Sequence, residues 1–308
     1  MRLSLSTNWC NRRLVSGEEI ADKALELGFD ELELGFHTTV DQVSGFKARL
    51  DRIPVGSVHA FCPVPLSAPH GYPELYALAS FDEDARGLAR FHIRKNIEFA
   101  AEMGADTVVL HAGRVLFNSF FHRNLGTASL SRALQAAKGD LKAGSYARLL
   151  ARALKARRSR GLRMLDVFCR ELEALAPVLS AHRVVLALEN LPYLEGFPDE
   201  TETGELMRRL AGAPVKAWFD TGHHRVREMH GWLPSGEPFP SHFDWFAGMH
   251  LNDVVDYDDN HYAPGDGKVD FAALKGLAQA VRHVVFEPKS HVSEESLKKG
   301  VSLIRSLW

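Results

Sequence analysis

Six apolar segments of the sequence end in side chains that can bind a metal ion. These side chains are imidazoles and carboxylates: His59, His111, Glu189, Asp220, His250 and Glu287. One such side chain by itself usually satisfies a backbone group or begins a turn. Several carboxylates in one pocket, however, would repel one another and stay protonated unless a cation neutralised them. The joint pattern therefore predicts a divalent-metal site, provided that the fold brings the segment ends together.

Further candidate ligands follow the segment that contains His250. Asp259 and His261 are two positions apart, so in an extended backbone both side chains face the same way and could share one ion. The chain has 15 His but 3 Cys, and the cysteines occur in no paired spacing. Imidazole and carboxylate chemistry is therefore favoured over a thiolate zinc site or a disulfide framework.

The elements that must position these side chains alternate between short β-rich runs and long amphipathic stretches. We predict strands at 2–7, 31–36, 56–61, 107–111, 184–190, 215–220, 247–251 and 283–287. Between them we predict helices, for example at 18–27, 85–103, 146–179 and 272–280. Eight such units predict an α/β fold, a (β/α)8 TIM barrel, as a single domain over 1–308. In that fold the carboxyl ends of the strands meet around one axis.

One interval in this pattern is longer than the others. His111 and Glu189 are 78 positions apart, whereas Glu189 and Asp220 are 31 apart, which predicts an insertion at about 114–145 after the fourth strand. A long basic helix follows it, and between 123 and 163 basic residues outnumber acidic ones by eleven to one. We expect a lid or substrate-facing subdomain. Its basic face is either simply solvated or contacts phosphate, from a sugar phosphate or from nucleic acid.

The overall composition is that of a globular protein. It is 45% hydrophobic and 25% charged with a formal net charge of −2, which excludes disordered, collagenous and coiled-coil classes. No apolar run approaches the roughly 20 residues of a membrane helix. The start of the sequence shows no secretory pattern. We therefore expect a cytoplasmic protein that does not span a membrane.

The sequence resembles the xylose isomerase-like TIM barrels, which include sugar isomerases and epimerases and the apurinic-site nucleases of the endonuclease IV type. The resemblance covers nearly the whole chain apart from the insertion. It rests on six motifs: Gly28-Phe-Asp-Glu-Leu-Glu33-Leu, Leu188-Glu189-Asn190, Asp220-Thr-Gly-His223, His250-Leu-Asn-Asp253, Asp259-Asn-His261 with the following Pro-Gly-Asp-Gly, and Phe286-Glu287-Pro288.

The isomerase and epimerase branch of the family implies one divalent metal, which could be Zn, Mn, Mg or Co. By this resemblance the ligands are Glu189, Asp220, His250 and Glu287. The two glutamates would also act as acid and base, moving a proton through an enediolate that the metal stabilises as a Lewis acid. The candidates for binding substrate are His223, Asn190 and Arg114.

The nuclease branch implies three zinc ions and a larger ligand set. It adds positions similar to His59, His111, His223, Asp259 and His261, so all nine positions are filled. Against this branch, Ser6-Thr7-Asn8-Trp9-Cys10 replaces the glycine-rich opening of the nuclease. Our leading interpretation is a metal-dependent isomerase or epimerase acting on a sugar or sugar phosphate, with one to three ions. The alternatives are a tri-zinc phosphodiesterase acting on nucleic acid, and a lyase or dehydratase acting on a cyclic polyol.

Overall fold

The computed structural model describes residues 1–10, 13–117, 124–233, 240 and 242–308. In this part of the chain, eight parallel strands close a barrel. They are β1 (Ser4–Ser6), β2 (Glu31–Leu34), β3 (Val55–His59), β4 (Thr107–Leu110), β5 (Val185–Glu189), β6 (Val215–Asp220), β7 (Phe246–Leu251) and β8 (His283–Phe286). The barrel closes where β8 pairs with β1, with Ser4 opposite Val285. The prediction of a (β/α)8 barrel is confirmed.

The strands are apolar because the barrel buries them on both faces. β4 and β8 are buried at every position, as expected for parallel strands covered by helices outside and by side chains inside. Trp218 is the largest member of a small buried cluster formed by side chains of four strands. Its ring requires a glycine on the next strand, because a Cβ on Gly248 would lie 2.3 Å from the indole. The barrel is therefore a packed core with its chemistry at one end.

The helices surround the barrel. They are α1 (Gly17–Glu26), α2 (Val40–Lys47), α3 (Glu83–Glu102), α4 (Thr127–Ala136), α5 (Gly144–His182), α6 (Glu200–Arg209), α7 (Thr221–Met229), α8 (Lys275–Ala280) and α9 (Glu294–Leu307). Short 3-10 turns occur at Thr7–Trp9, Phe243–Trp245 and Ala272–Leu274. The helix predicted at 272–280 is thus a 3-10 turn followed by a short helix. No described helix is both long and apolar enough to cross a membrane.

The predicted insertion contains α4 and leads into α5. These helices share a second hydrophobic cluster, separate from the main core, in which Leu130 and Tyr146 pack near Trp232 from the loop after α7. Residues 118–123 of the predicted insertion lie outside the described residues. At its start, the two-residue strand Gly113–Arg114 pairs antiparallel with Gly196–Phe197 from the loop after β5. The insertion is therefore attached beside the carboxyl end of the barrel.

Candidate metal centre

The metal-competent side chains predicted from the sequence come from the carboxyl ends of six neighbouring strands. His59, Glu189 and Asp220 are the last residues of β3, β5 and β6. His250 is the penultimate residue of β7, and His111 and Glu287 follow β4 and β8 directly. All six are buried. Parallel strands point their carboxyl ends to one mouth of the barrel, so these side chains converge there.

Three groups of ligand atoms are found among the described residues. Within each group the atoms lie within 4.8 Å of one another: Glu189, Asp220, His250 and Glu287; His59, His111 and Glu189; and Asp220, His223 and His261. The groups are joined through Glu189 and Asp220, which each belong to two of them. The first group contains the four positions that the resemblance assigned to a single metal.

Glu189 and His250 are at the centre of these groups. One carboxylate oxygen of Glu189 lies 3.2 Å from Nε2 of both His59 and His111. Its other oxygen lies 3.2 Å from Nδ1 of His250. The same Nδ1 is 3.3 Å from Glu287 Oε2 and 3.8 Å from Asp220 Oδ2. Three carboxylates thus surround one ring nitrogen, as in a site where a cation replaces its proton.

Protons on the histidines balance the negative charge of this cluster. Burial alone would raise the pKa of Glu189, but the neighbouring His250 and His111 lower it well below its usual range. Burial alone would likewise lower the pKa of His250, whereas Glu287, Glu33 and Glu189 raise it well above 6.5. Burial also lowers the pKa of His111, but the neighbouring Glu189 raises it to about 10. The metal-free site therefore carries protonated imidazoles at neutral pH.

Asp259 and His261 contact each other, but the backbone at His261 has a φ of 51° and is not extended as the spacing argument assumed, so a shared ion stays a prediction. Asp259 Oδ1 lies 2.9 Å from His261 Nε2 and 3.6 Å from His223 Nε2. Burial raises the pKa of Asp259, but His261 and His223 lower it well below its usual range. Although burial lowers the pKa of His261, Asp259 raises it to about 9. Asp259 is outside the three ligand groups and touches two members of one of them.

The orientation of the histidine rings fits a divalent metal. His59, His223 and His261 each place Nδ1 within 2.9 Å of a backbone carbonyl, that of Ala60, Asn190 and Glu287 respectively. In a neutral ring, a hydrogen bond from Nδ1–H to a carbonyl leaves the lone pair on Nε2, where a metal could bind. Histidines that bind metals are held in this way, and imidazole with carboxylate suits Zn²⁺ and related divalent ions.

A cavity of about 510 Å³ lies above the cluster. Its wall includes the rings of Phe36, Tyr72 and Tyr193, and His223, His261 and Glu287 reach it from the cluster. Asn8, from the turn after β1, donates a hydrogen bond of 3.1 Å to Glu287 Oε1. A cavity of this size with a few polar groups accommodates a small molecule. No described residue of 114–145 lines it, so the expectation that the insertion covers the substrate stays a prediction.

The residues predicted to bind substrate fall in three different places. His223 lines the cavity. Asn190 does not: its Oδ1 accepts a 2.7 Å hydrogen bond from the Asp220 N–H, and its Nδ2 donates to the Asp220 carbonyl at 3.1 Å. Arg114 is paired with Glu74 and lies 3.9 Å from the centre of the Tyr193 ring, beside a neighbouring cavity of about 560 Å³. Asn190 is thus bonded to the backbone of Asp220 and Arg114 to Glu74, and their role in binding substrate stays a prediction.

Sequence reasoning missed four residues at or beneath the site. Asn8 lies in the turn after β1 and Glu33 is the penultimate residue of β2, so extending the strand-end rule to the first two strands would have pointed to both. Glu74 and Tyr193 come from loops and follow no spacing rule. Glu74 Oε1 is 3.8 Å from His111 Nδ1. Although burial raises the pKa of Glu74, its interactions with His111 and Arg114 lower it to about 2.

Comparison with known proteins shows the family. The family model described as "Xylose isomerase-like TIM barrel" matches residues 21–307, so the chain belongs to this family. The resemblance stated from the sequence motifs is confirmed. A search of curated proteins by sequence finds no match.

Several solved structures share the fold at low sequence identity. One is 3-keto-D-glucoside 4-epimerase from E. coli, with a TM-score of 0.66 and 17% identity over 99% of both chains. Another is D-psicose 3-epimerase from Clostridium cellulolyticum H10, with a TM-score of 0.65 and 14% identity over 100% of this chain and 99% of that one. A third is the TTHB071 protein from Thermus thermophilus, with a TM-score of 0.58 and 19% identity over 100% and 98% of the two chains.

Proposed function

We propose that the protein is a divalent-metal-dependent isomerase or epimerase that acts on a sugar or sugar phosphate. The observation that carries the proposal is the group of Glu189, Asp220, His250 and Glu287, whose ligand atoms lie within 4.8 Å of one another beneath the cavity. Two of the structures with this fold are named as sugar epimerases, which supports the same substrate class.

The two glutamates of this group have suitable places for proton transfer. A bound divalent metal would act as a Lewis acid towards an oxygen of the sugar. Glu287 reaches the cavity, and Asn8 holds one of its oxygens. Glu189 is almost fully buried, and the imidazoles around it favour its ionised form. One carboxylate would remove the proton next to the sugar carbonyl, and the other would return a proton to the opposite face or to the neighbouring carbon.

The cavity wall suits a polyol. Phe36 and Tyr193 offer aromatic faces, against which the C–H face of a sugar can pack. Asn8, His223 and Lys289 bring polar nitrogen atoms to the same wall, where sugar hydroxyls would find hydrogen-bond partners. Substrate would therefore be held by shape and hydroxyl contacts, while the buried carboxylates act at one carbon.

One observation favours a second candidate, the tri-zinc phosphodiesterase of the endonuclease IV type. The two further ligand groups, His59 with His111 and Glu189, and Asp220 with His223 and His261, flank the first. A centre of several metals suits an attacking hydroxide and a phosphate leaving oxygen. Against it, the exposed basic residues of α5, such as Arg152 and Arg163, do not line the cavity above the cluster.

A substrate panel on metal-depleted and metal-loaded protein tests the two candidates. We expect the loaded protein to convert ketoses, aldoses or their phosphates to isomers or epimers in D₂O, with deuterium incorporated at the reacting carbon. The depleted protein should convert none. Metal-dependent incision of abasic-site duplex DNA without any sugar conversion would instead establish the phosphodiesterase.

Substitution of the glutamates tests their role. Glu189→Gln and Glu287→Gln should each lower kcat on the identified sugar by about 10²–10⁴-fold, the range for loss of a general acid or base. Glu31→Gln is the matched control, because Glu31 pairs with Arg2 near the amino end of β2, away from the cavity. Metal content should be measured for each variant. Full activity in either glutamine variant would remove that glutamate from catalysis.

A further inference from the structure

Four histidines of the centre are held in two different ways. His59, His223 and His261 bond to backbone carbonyls through Nδ1. His250 is reversed: its Nε2 lies 3.1 Å from each carboxylate oxygen of Glu33, and its Nδ1 faces the carboxylates of the first ligand group. Among these four rings, that of His250 has a charged partner at its outer nitrogen, whereas the outer nitrogen of His111 lies 3.8 Å from Glu74 Oε1, beyond hydrogen-bond distance.

The position of His250 in its strand explains why it needs a side-chain acceptor. The carbonyls used by the other rings belong to Ala60, Asn190 and Glu287, each the first residue after a strand. His250 lies within β7, where it is paired with Val285 of β8 and the sheet hydrogen bonds occupy the backbone carbonyls. An acceptor for its outer nitrogen must therefore come from a side chain inside the barrel.

Glu33 is built into the structure as that acceptor. It lies on β2, is fully buried, and accepts a 2.9 Å hydrogen bond from Ser57 Oγ in addition to its contacts with His250. A buried carboxylate is costly unless hydrogen bonds satisfy it, and these do. Glu33 belongs to none of the three ligand groups. It is therefore placed beneath the metal ligands rather than among them.

We propose that Glu33 is a positioning residue that prepares His250 to bind the metal through Nδ1. By accepting the Nε2–H, the carboxylate fixes the tautomer with its lone pair on Nδ1 and strengthens that nitrogen as a donor. Packing supports the same orientation, because the ring of His59 lies parallel to that of His250 at 5.8 Å and Trp218 meets its edge at 5.0 Å. The inference rests on the metal site of the proposed function but not on the reaction.

Metal titration of Glu33→Gln tests the inference. Glutamine keeps the size of the side chain and one acceptor oxygen but removes the charge. We expect the Kd for Co²⁺ or Zn²⁺, measured by calorimetry, to rise about 10- to 100-fold. The visible spectrum of the Co²⁺-loaded protein should also change. Ser57→Ala, which removes the hydrogen bond to Glu33, should raise the Kd less, and Glu31→Gln on the same strand should leave both readouts unchanged.

The possible outcomes separate this inference from the proposed function. If wild-type protein binds neither metal, the proposed metal site fails. If wild type binds but Glu33→Gln binds with the same Kd and the same Co²⁺ spectrum, the positioning role is overturned. Circular dichroism of the metal-free variants checks folding. Should Glu33→Gln not fold, Glu33→Asp and Ser57→Ala carry the test, and wild-type values of Kd and spectrum in both would overturn the inference.

Discussion

Two buried ionic clusters lie near the carboxyl end of the barrel, and they are neutralised by different means. At the candidate metal centre, the carboxylates face histidines that carry protons. Behind the loop after β5, Arg157 of α5 faces Glu202, with hydrogen bonds of 2.6 and 2.7 Å to its two oxygens. Arg157 also donates to the carbonyls of Leu194 and Gly196. The positive charge of the first cluster is on histidines, which can lose their protons. The positive charge of the second is on an arginine, which stays protonated.

This difference matches the tasks of the two clusters. A guanidinium stays protonated at any physiological pH and presents five N–H donors in a fixed planar geometry. Arg157 therefore anchors the loop that carries Tyr193, a residue of the cavity wall. An imidazole can give up its proton to a metal or to solvent. A site that exchanges protons for a cation needs histidine, whereas a site that only holds a loop in place is better built with arginine.

The largest effect is expected from breaking the arginine cluster. Arg157→Met should lower the free energy of unfolding by about 3–5 kcal/mol, because it leaves buried carboxylates without a cation. Urea denaturation measures this. Arg158→Met is the matched control, since Arg158 is the exposed neighbour on the same helix, and should change the stability by about 0.5 kcal/mol or less. If both variants changed the free energy of unfolding equally, the buried ion pairs of Arg157 would not be what stabilises this cluster.

The pH dependence of stability tests the histidine cluster. In the metal-free protein the pKa of His261 is about 9 and that of His111 about 10, whereas both lie near 6.5 in an unfolded chain. Their protonation therefore stabilises the fold fully below pH 6.5, and this contribution is lost as the pH rises through 9 and 10.

Thermal denaturation between pH 7 and pH 10 measures this loss. The Tm of the metal-free protein should fall across the range, and it should fall less in metal-loaded protein, where the cation has replaced the protons. His111→Asn should also flatten the curve of the metal-free protein. A Tm that stays constant or rises towards pH 10 in metal-free wild type would contradict the proton balance described for the site.

The smallest effect is expected at the rim of the cavity. Lys289 Nζ lies 3.3 Å from Asp259 Oδ2, but the Lys289 side chain is 49% exposed. Lys289→Ala should therefore change the free energy of unfolding by less than about 1 kcal/mol, because water screens exposed ion pairs. Urea denaturation beside Arg157→Met gives the comparison. If Lys289→Ala lowered the free energy of unfolding as much as Arg157→Met, burial would not explain the difference between the two ion pairs.

Strand positions and the residues at strand ends could be predicted because their signals are local. Each strand is a short apolar run, and a polar residue where the run stops, such as His59 or Glu189, marks its end. Because the strands are parallel, the side chains at their carboxyl ends meet at one mouth of the barrel. The four positions assigned to one metal do form one group with close ligand atoms.

Other features could not be predicted because they depend on contacts between distant segments. The run of basic residues before Asp166 gave no sign that Arg157 is buried while its neighbour Arg158 is exposed. Asn190 follows the candidate ligand Glu189 in the sequence, yet its side-chain amide is hydrogen-bonded to the backbone of Asp220. Glu33 lies 217 positions from His250. In each case the partner of the side chain is determined by tertiary packing, so it cannot be predicted from spacing along the sequence.

By itself, the sequence determined the barrel and the chemical type of the side chains at its mouth. Both follow from the alternation of apolar and polar residues, which limits where strands can begin and end. Only the tertiary structure decided which nitrogen of each histidine faces the cluster and which carboxylates remain beneath it. Those choices depend on distances of about 3 Å between atoms of different strands, and such distances exist only once the barrel has closed.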